Sequence, residues 1–185
     1  LARENDIHVG PENIIVTSGA MQSIHLSMSA LLSPGDDILL PNPGYGNFVM
    51  AAKLCYANPI EYPTPPELDF EPDFDALEEL ITPRTKAMLI NSPSNPTGAV
   101  WGPEIMKACL EFCQRHDIYM ISDETYDRLV YEGEHVSPAI WDTEGRVLTI
   151  FTLSKTYSMT GWRVGWTVAS EEIITAMTVC QEPVV

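Results

Sequence analysis

Basic residues are scarce in this chain. Ten Lys and Arg stand against 26 Asp and Glu, a formal net charge of −16 over 185 residues. A nucleic-acid surface needs clustered basic side chains, so that class of partner is excluded. Any anion site must use a few cations well. Long apolar runs are also lacking: there is no stretch of 18, and no basic segment leads into an apolar one. The sequence therefore predicts neither a membrane-spanning helix nor a signal peptide. Cys55, Cys109, Cys113 and Cys180 have neither CxxC nor zinc-ligand spacing. Cys109 and Cys113, four apart on a predicted helix, read as buried small hydrophobes, and a reducing cytoplasm is the expected location. Internal repeats and low-complexity tracts are absent. What is present is 45% hydrophobic content, enough for one sizeable core. Both ends read as cut: Leu1–Asn5 begins without a cap, and Gln181–Val185 stops just after a helical pattern. The expectation is part of a larger protein.

Apolar runs and helical stripes alternate. Strands are predicted over 13–17, 37–41, 59–62, 86–91, 117–122, 147–151 and 163–169. Helices are predicted over 21–32, 46–54, 74–81, 103–116 and 171–180. Several strands are apolar throughout, which demands cover on both faces. That pattern predicts an α/β fold, a three-layer α/β/α sandwich with a mainly parallel sheet of roughly seven strands. In such folds ligands gather at the carboxyl ends of the strands. Tyr45, Asn95, Asp123 and Lys155 all follow strands, as does the Ser18-Gly19-Ala20 turn.

Lys155 is the odd lysine. Thr152-Leu153-Ser154-Lys155 follows a predicted buried strand, without a neighbouring carboxylate. Partial desolvation beside a cation such as Arg163 makes such an amine nucleophilic. Lys53 and Lys107 fit exposed helical positions, and Lys86 opens a strand. Lys155 offers an amine for a Schiff base, Asp123 a carboxylate for a heterocyclic nitrogen, Tyr126 a phenol, Asn95 an amide and Tyr45 a flat ring. Gly19, Ala20 and Met21 lie at a helix N-terminus and offer main-chain N–H groups to a phosphate, joined by Thr152, Ser154 and Arg163. Each feature has a plainer reading: an ordinary strand-to-helix connection, a core tyrosine at 126, a turn-capping Ser154, a core side chain at Met21. Together they match pyridoxal 5′-phosphate, whose chemistry needs an aldehyde anchored by lysine and a protonated pyridine.

Ser92-Pro93-Ser94-Asn95-Pro96-Thr97-Gly98, Asp123-Glu124-Thr125-Tyr126 and Thr152-Leu153-Ser154-Lys155 with Gly161-Trp162-Arg163-Val164-Gly165 resemble the class I/II aminotransferases of pyridoxal-phosphate fold type I. The resemblance runs from about residue 12 to 182, in the family's order and spacing. It implies that Lys155 is the Schiff-base lysine and proton shuttle, and that Asp123 pairs with the pyridine nitrogen. It implies that Asn95 and Tyr126 donate to the cofactor's 3′-oxygen and that Tyr45 stacks on its ring. Gly19-Ala20-Met21, Thr152, Ser154 and Arg163 take the family's phosphate positions. The family's small domain, its N-terminal arm and the arginine that grips the substrate carboxylate are not found. Residues 1–185 are then the cofactor-binding large domain of a longer homodimeric enzyme acting on amino acids and 2-oxo acids, with little activity alone. A lyase, decarboxylase or synthase on the same fold, or the sensor domain of a regulator, shares these motifs. His8, His25, His116 and His135 match no motif and read as surface or core residues.

Overall fold

A computed structural model describes residues 1–184. Val185, at the end that reads as cut, lies outside the described residues. In chain order the elements are α1 (Ala2–Asn5), β1 (Ile14–Thr17), α2 (Ala20–Leu31), β2 (Asp37–Asn42), α3 (Asn47–Leu54), β3 (Asn58–Pro63) and α4 (Phe74–Leu80). There follow β4 (Thr85–Asn91), α5 (Pro103–Arg115), β5 (Tyr119–Asp123), β6 (Val147–Thr152), β7 (Gly165–Val168) and α6 (Glu171–Gln181). The strands form one seven-stranded sheet in the order β1-β7-β6-β5-β4-β2-β3. It is the mainly parallel α/β sheet that the sequence predicts.

The continuous apolar strands are explained by cover on both faces. In β4, Ala87 and Leu89 face α2 and α3, packing with Ile24, Met28, Phe48 and Ala52. Their neighbours Met88 and Ile90 face the other way, into a cluster with Met106, Cys109, Phe112 and Cys113 of α5. Alternate residues of one strand thus enter two cores. Cys109 and Cys113 are fully buried, as expected, and burial pushes both thiols well above their usual range.

β7 runs antiparallel to both β6 and β1. Between β6 and β7 there is only a short 3₁₀ turn at Thr160–Trp162, no crossover helix to return the chain in parallel. The predicted strand over 163–169 is also shorter than expected. Arg163 has φ 52° and ψ 54°, a left-handed conformation that no strand accommodates, so β7 starts at Gly165. Because β1 is antiparallel to β7, it points the same way as the parallel strands. The carboxyl ends of β1, β2, β4, β5 and β6 therefore share one edge of the sheet.

Candidate active site

At that edge lies a cleft of about 280 Å³. This is the low end for ligand clefts, room for a single-ring ligand rather than a dinucleotide. One wall is the start of α2. Gly19 caps the helix with φ 78°, and a Cβ there would collide with the Arg163 guanidinium. Glycine is required for both the backbone angle and the close approach. The main-chain N–H groups of Gln22 and Ser23 turn to Gly19 O, while those of Ala20 and Met21 have no acceptor among the described residues. The Arg163 guanidinium crosses in front, donating to Ser18 O (3.3 Å), Thr160 O (3.0 Å) and Ser154 Oγ (3.4 Å). Thr152 Oγ1 donates to Val164 O (2.9 Å) and accepts from Ser154 N (3.1 Å), which holds the turn after β6 in place. In a protein of net charge −16, free helix N–H groups, hydroxyls and a cation converge here on one spot, the physical makings of an anion cradle.

Across the cleft, Asp123 ends β5 with 5% exposure. Burial raises its carboxyl to about 6; hydrogen bonds from Thr125 oppose that rise, Glu124 adds to it and Lys155 opposes it. Asp123 Oδ1 accepts from both the main-chain N–H (3.1 Å) and the hydroxyl of Thr125. Oδ2 has no protein partner among the described residues. Asn91, at the end of β4, clamps two neighbours: its Nδ2 donates to Asp123 O (3.1 Å) and its Oδ1 accepts from Asn95 N (2.8 Å). The buried Asn91 amide thereby sets the position of the Asn95 loop against the end of β5.

Lys155 Nζ lies 5.6 Å from the centroid of the Tyr126 ring. Its side chain is exposed, so the partial desolvation expected from the sequence is not found. Tyr45 stands at the rim at 36% exposure, braced edge-on by Phe48 at 5.5 Å and held by a hydrogen bond from Asn47 (2.7 Å). The structure brings all the sequence-selected residues to this cleft except Gly19, which lies just behind its wall. Lys53, Lys86 and Lys107 are exposed elsewhere.

Asn91, Thr125, Thr160 and Gly165 also shape the site, and each lies within or beside one of the sequence motifs. Gly165 is the least replaceable. A Cβ there would come 2.8 Å from Gly19 C, 2.9 Å from Ala20 N and 2.9 Å from Phe151 O, all of them main-chain atoms. Gly165→Ala is expected to push the Gly19–Ala20 turn outward and cost about 1–3 kcal/mol of stability, read from urea unfolding.

Comparison with known proteins agrees with this geometry. The chain matches the family described as Aminotransferase class I and II over residues 1–185. It is 40% identical over 175 residues to a probable aspartate/prephenate aminotransferase of Thermus aquaticus, covering 95% of this chain and 45% of that protein. It is also 40% identical over 161 residues to an arginine–pyruvate transaminase of Pseudomonas aeruginosa, covering 86% and 41%. The aspartate aminotransferase of Thermus thermophilus solved with maleate superposes with a TM-score of 0.95 at 38% identity, over 99% of this chain and 48% of that one. The chain thus spans about half the length of the relatives it matches.

Proposed function

The chain belongs to the class I and II aminotransferases, whose cofactor is pyridoxal 5′-phosphate, and from that premise we propose that it is the cofactor-holding half of an enzyme that moves an amino group between an amino acid and a 2-oxo acid. The observation that carries this reading is Asp123: a buried carboxylate with one oxygen held by Thr125 and the other free, in a cleft that also contains Lys155. The donor set fits the cofactor. Its phosphate calls for N–H donors and a cation, supplied by Ala20, Met21 and Arg163, with Thr152 and Ser154 beside them. Its ring nitrogen calls for an anion, supplied by Asp123. Its planar ring suits Tyr45, and its aldehyde calls for an amine, supplied by Lys155, the only lysine at the cleft among the described residues. When bound, the cofactor supplies a sink for the electron pair left at the substrate α-carbon.

The residues then divide the work. Lys155 would hold the cofactor's aldehyde carbon through its amine and, once released, would be the base and acid that moves the proton at the substrate α-carbon. Asp123 holds the ring nitrogen protonated. Asn95 and Tyr126 would donate to the ring oxygen, and Asn91 and Thr125 keep Asn95 and Asp123 in register. Residues 1–185 form the large domain. The small domain, the N-terminal arm and a second subunit supply the group that grips the substrate carboxylate and exclude water from Lys155, Tyr45 and Arg163, which are exposed here. Two relatives named for different substrates match equally well at 40% identity, so side-chain selection lies largely outside this half. A cytoplasmic homodimer completes the reading; among the described residues no helix is long and apolar enough to cross a membrane.

Borohydride reduction of the full-length protein loaded with pyridoxal 5′-phosphate tests this. The pyridoxyl group is expected on the peptide carrying Lys155, and an amino-acid donor should release a 2-oxo acid while converting the cofactor to its amine form. A label on Lys53, Lys86 or Lys107, or a protein that binds no chromophore, overturns it.

A further inference from the structure

A second acid, Glu124, directly follows Asp123, and the chemistry above does not use it. Neighbouring residues at a strand end point to opposite faces. Asp123 enters the cleft, while Glu124 enters the interior behind it, where its side chain is fully buried. Its Oε1 accepts from Ser122 Oγ (2.9 Å) and Ser137 Oγ (2.7 Å), and its Oε2 lies 2.9 Å from His135 Nε2. Its main-chain N–H is fixed to Ile150 O (3.0 Å). The His135 side chain is only 7% exposed, and its Nδ1 is buried with no partner.

Hydrogen-bond accounting assigns the charges. An ionised carboxylate only accepts, and here three donors converge on it. A proton on Oε2 would have to go to His135 Nε2, which would place the imidazole proton on Nδ1, a buried donor without an acceptor; a proton on Oε1 would go to Ser122 or Ser137 Oγ, whose own hydroxyl proton has no other acceptor among the described residues. An imidazolium would leave the same orphan on Nδ1. A bare acceptor is tolerated better than an orphaned N–H. The arrangement therefore holds neutral His135, protonated on Nε2, against an ionised Glu124, and the pair carries one net negative charge. Lys155 faces Asp123 from the cleft side. The other charges nearby, Arg3, Glu4, Asp6, Asp127, Arg128 and Glu134, line a depression that His135 and Ser137 also border, open to solvent and screened by it.

We propose that Glu124 is a positioning residue for the reaction: a buried anion, fixed behind Asp123 by Ser122, Ser137 and His135, that strengthens the hold of Asp123 on the proton of the cofactor's ring nitrogen. The same hydrogen bonds tie the segment from Tyr126 to Ser137 to the end of β5. His135, which matches no sequence motif, is then part of the electrostatic support of the site.

The inference rests on the cofactor reading above. Its test uses full-length holoenzyme reconstituted with pyridoxal 5′-phosphate labelled with ¹⁵N in the ring, titrated by NMR. Glu124→Gln keeps the shape and removes the charge; its amide oxygen still accepts from Ser122 and Ser137, while its NH₂ group turns His135 to the tautomer protonated on Nδ1, a stability cost that the ring-nitrogen midpoint does not read. The pH at which the ring-nitrogen proton is half lost is expected to fall by about one unit, a tenfold loss of proton affinity. His135→Gln, a neutral donor for a neutral donor, should leave that midpoint where it is. A lowered melting temperature with an unmoved midpoint in Glu124→Gln overturns the proposal, as does a raised midpoint in His135→Gln. Should Glu124→Gln not fold, the double variant Ser122→Ala/Ser137→Ala decides. With both hydroxyl donors gone the anion is disfavoured, so the midpoint should again fall, and an unmoved one overturns the proposal. Failure of the cofactor reading looks different: wild-type protein that retains no labelled ring.

Discussion

Lys155→Ala in the full-length enzyme is expected to lower turnover about ten-thousandfold while leaving the fold nearly untouched. The first half of that expectation follows from the division of labour in the cleft. Among the described residues Lys155 is the only amine there, and the proposed function gives it both covalent anchoring and proton transfer at the α-carbon. The second half follows from how little the side chain does for the fold. Lys155 is exposed, and its ammonium makes no ion pair or hydrogen bond among the described residues. Its ammonium lies 5.6 Å from the centroid of the Tyr126 ring. Truncating such a side chain moves stability by no more than about 0.5 kcal/mol. The anion cradle at Ala20, Met21 and Arg163 does not depend on it, so the variant should still take up the cofactor, now removable by dialysis. Steady-state kinetics, a thermal melt and dialysis read the three parts separately. Turnover within tenfold of wild type would mean that another group moves the proton.

The fold was legible where periodicity carries the information. The unbroken apolar run in β4 announces two covered faces, and the structure distributes Ala87 and Leu89 to one core and Met88 and Ile90 to the other. The gathering of Asp123, Asn95 and Lys155 followed from placing each after a strand of a parallel sheet. What stayed hidden depends on contacts distant in sequence or on local backbone angles. The antiparallel entry of β7 reflects a connection too short for a crossover, and strand direction leaves no mark on apolar patterning. The left-handed Arg163 breaks the predicted strand so that its guanidinium can reach Ser18 O, 145 positions earlier. The Asn91 clamp and the Glu124–His135 pair are polar groups inside a core, where apolar patterning is silent. Lys155 is exposed in this chain because the end of β6 opens into a cleft, a feature that apolar patterning does not register.

Asp123→Asn is expected to abolish most activity and yet stabilise the cofactor-free protein. An asparagine can keep both hydrogen bonds from Thr125, accepting through Oδ1, so the local structure has no reason to change. What disappears is the charge. Without it the amide can only donate to an unprotonated ring nitrogen, and the electrostatic support for the developing negative charge is lost, at a cost of about a thousandfold in turnover. Stability moves the other way. Burial raises the Asp123 carboxyl from 3.8 to about 6, so the native state holds this proton more tightly than the unfolded chain does. Stability therefore falls as pH rises through that window, and above pH 6 the ionised group destabilises the cofactor-free fold by about 3 kcal/mol. Asp123→Asn removes that burden. Urea unfolding of the cofactor-free full-length protein should show the variant more stable at pH 8, the difference shrinking as pH falls and vanishing near pH 4. Adding pyridoxal 5′-phosphate should reverse the order at pH 8, because only the wild-type carboxylate gains a cationic partner in the ring. A variant equally stable at pH 8 without cofactor would mean that the buried carboxylate is already compensated by the protein. The destabilised acid would then no longer be a feature that cofactor binding relieves.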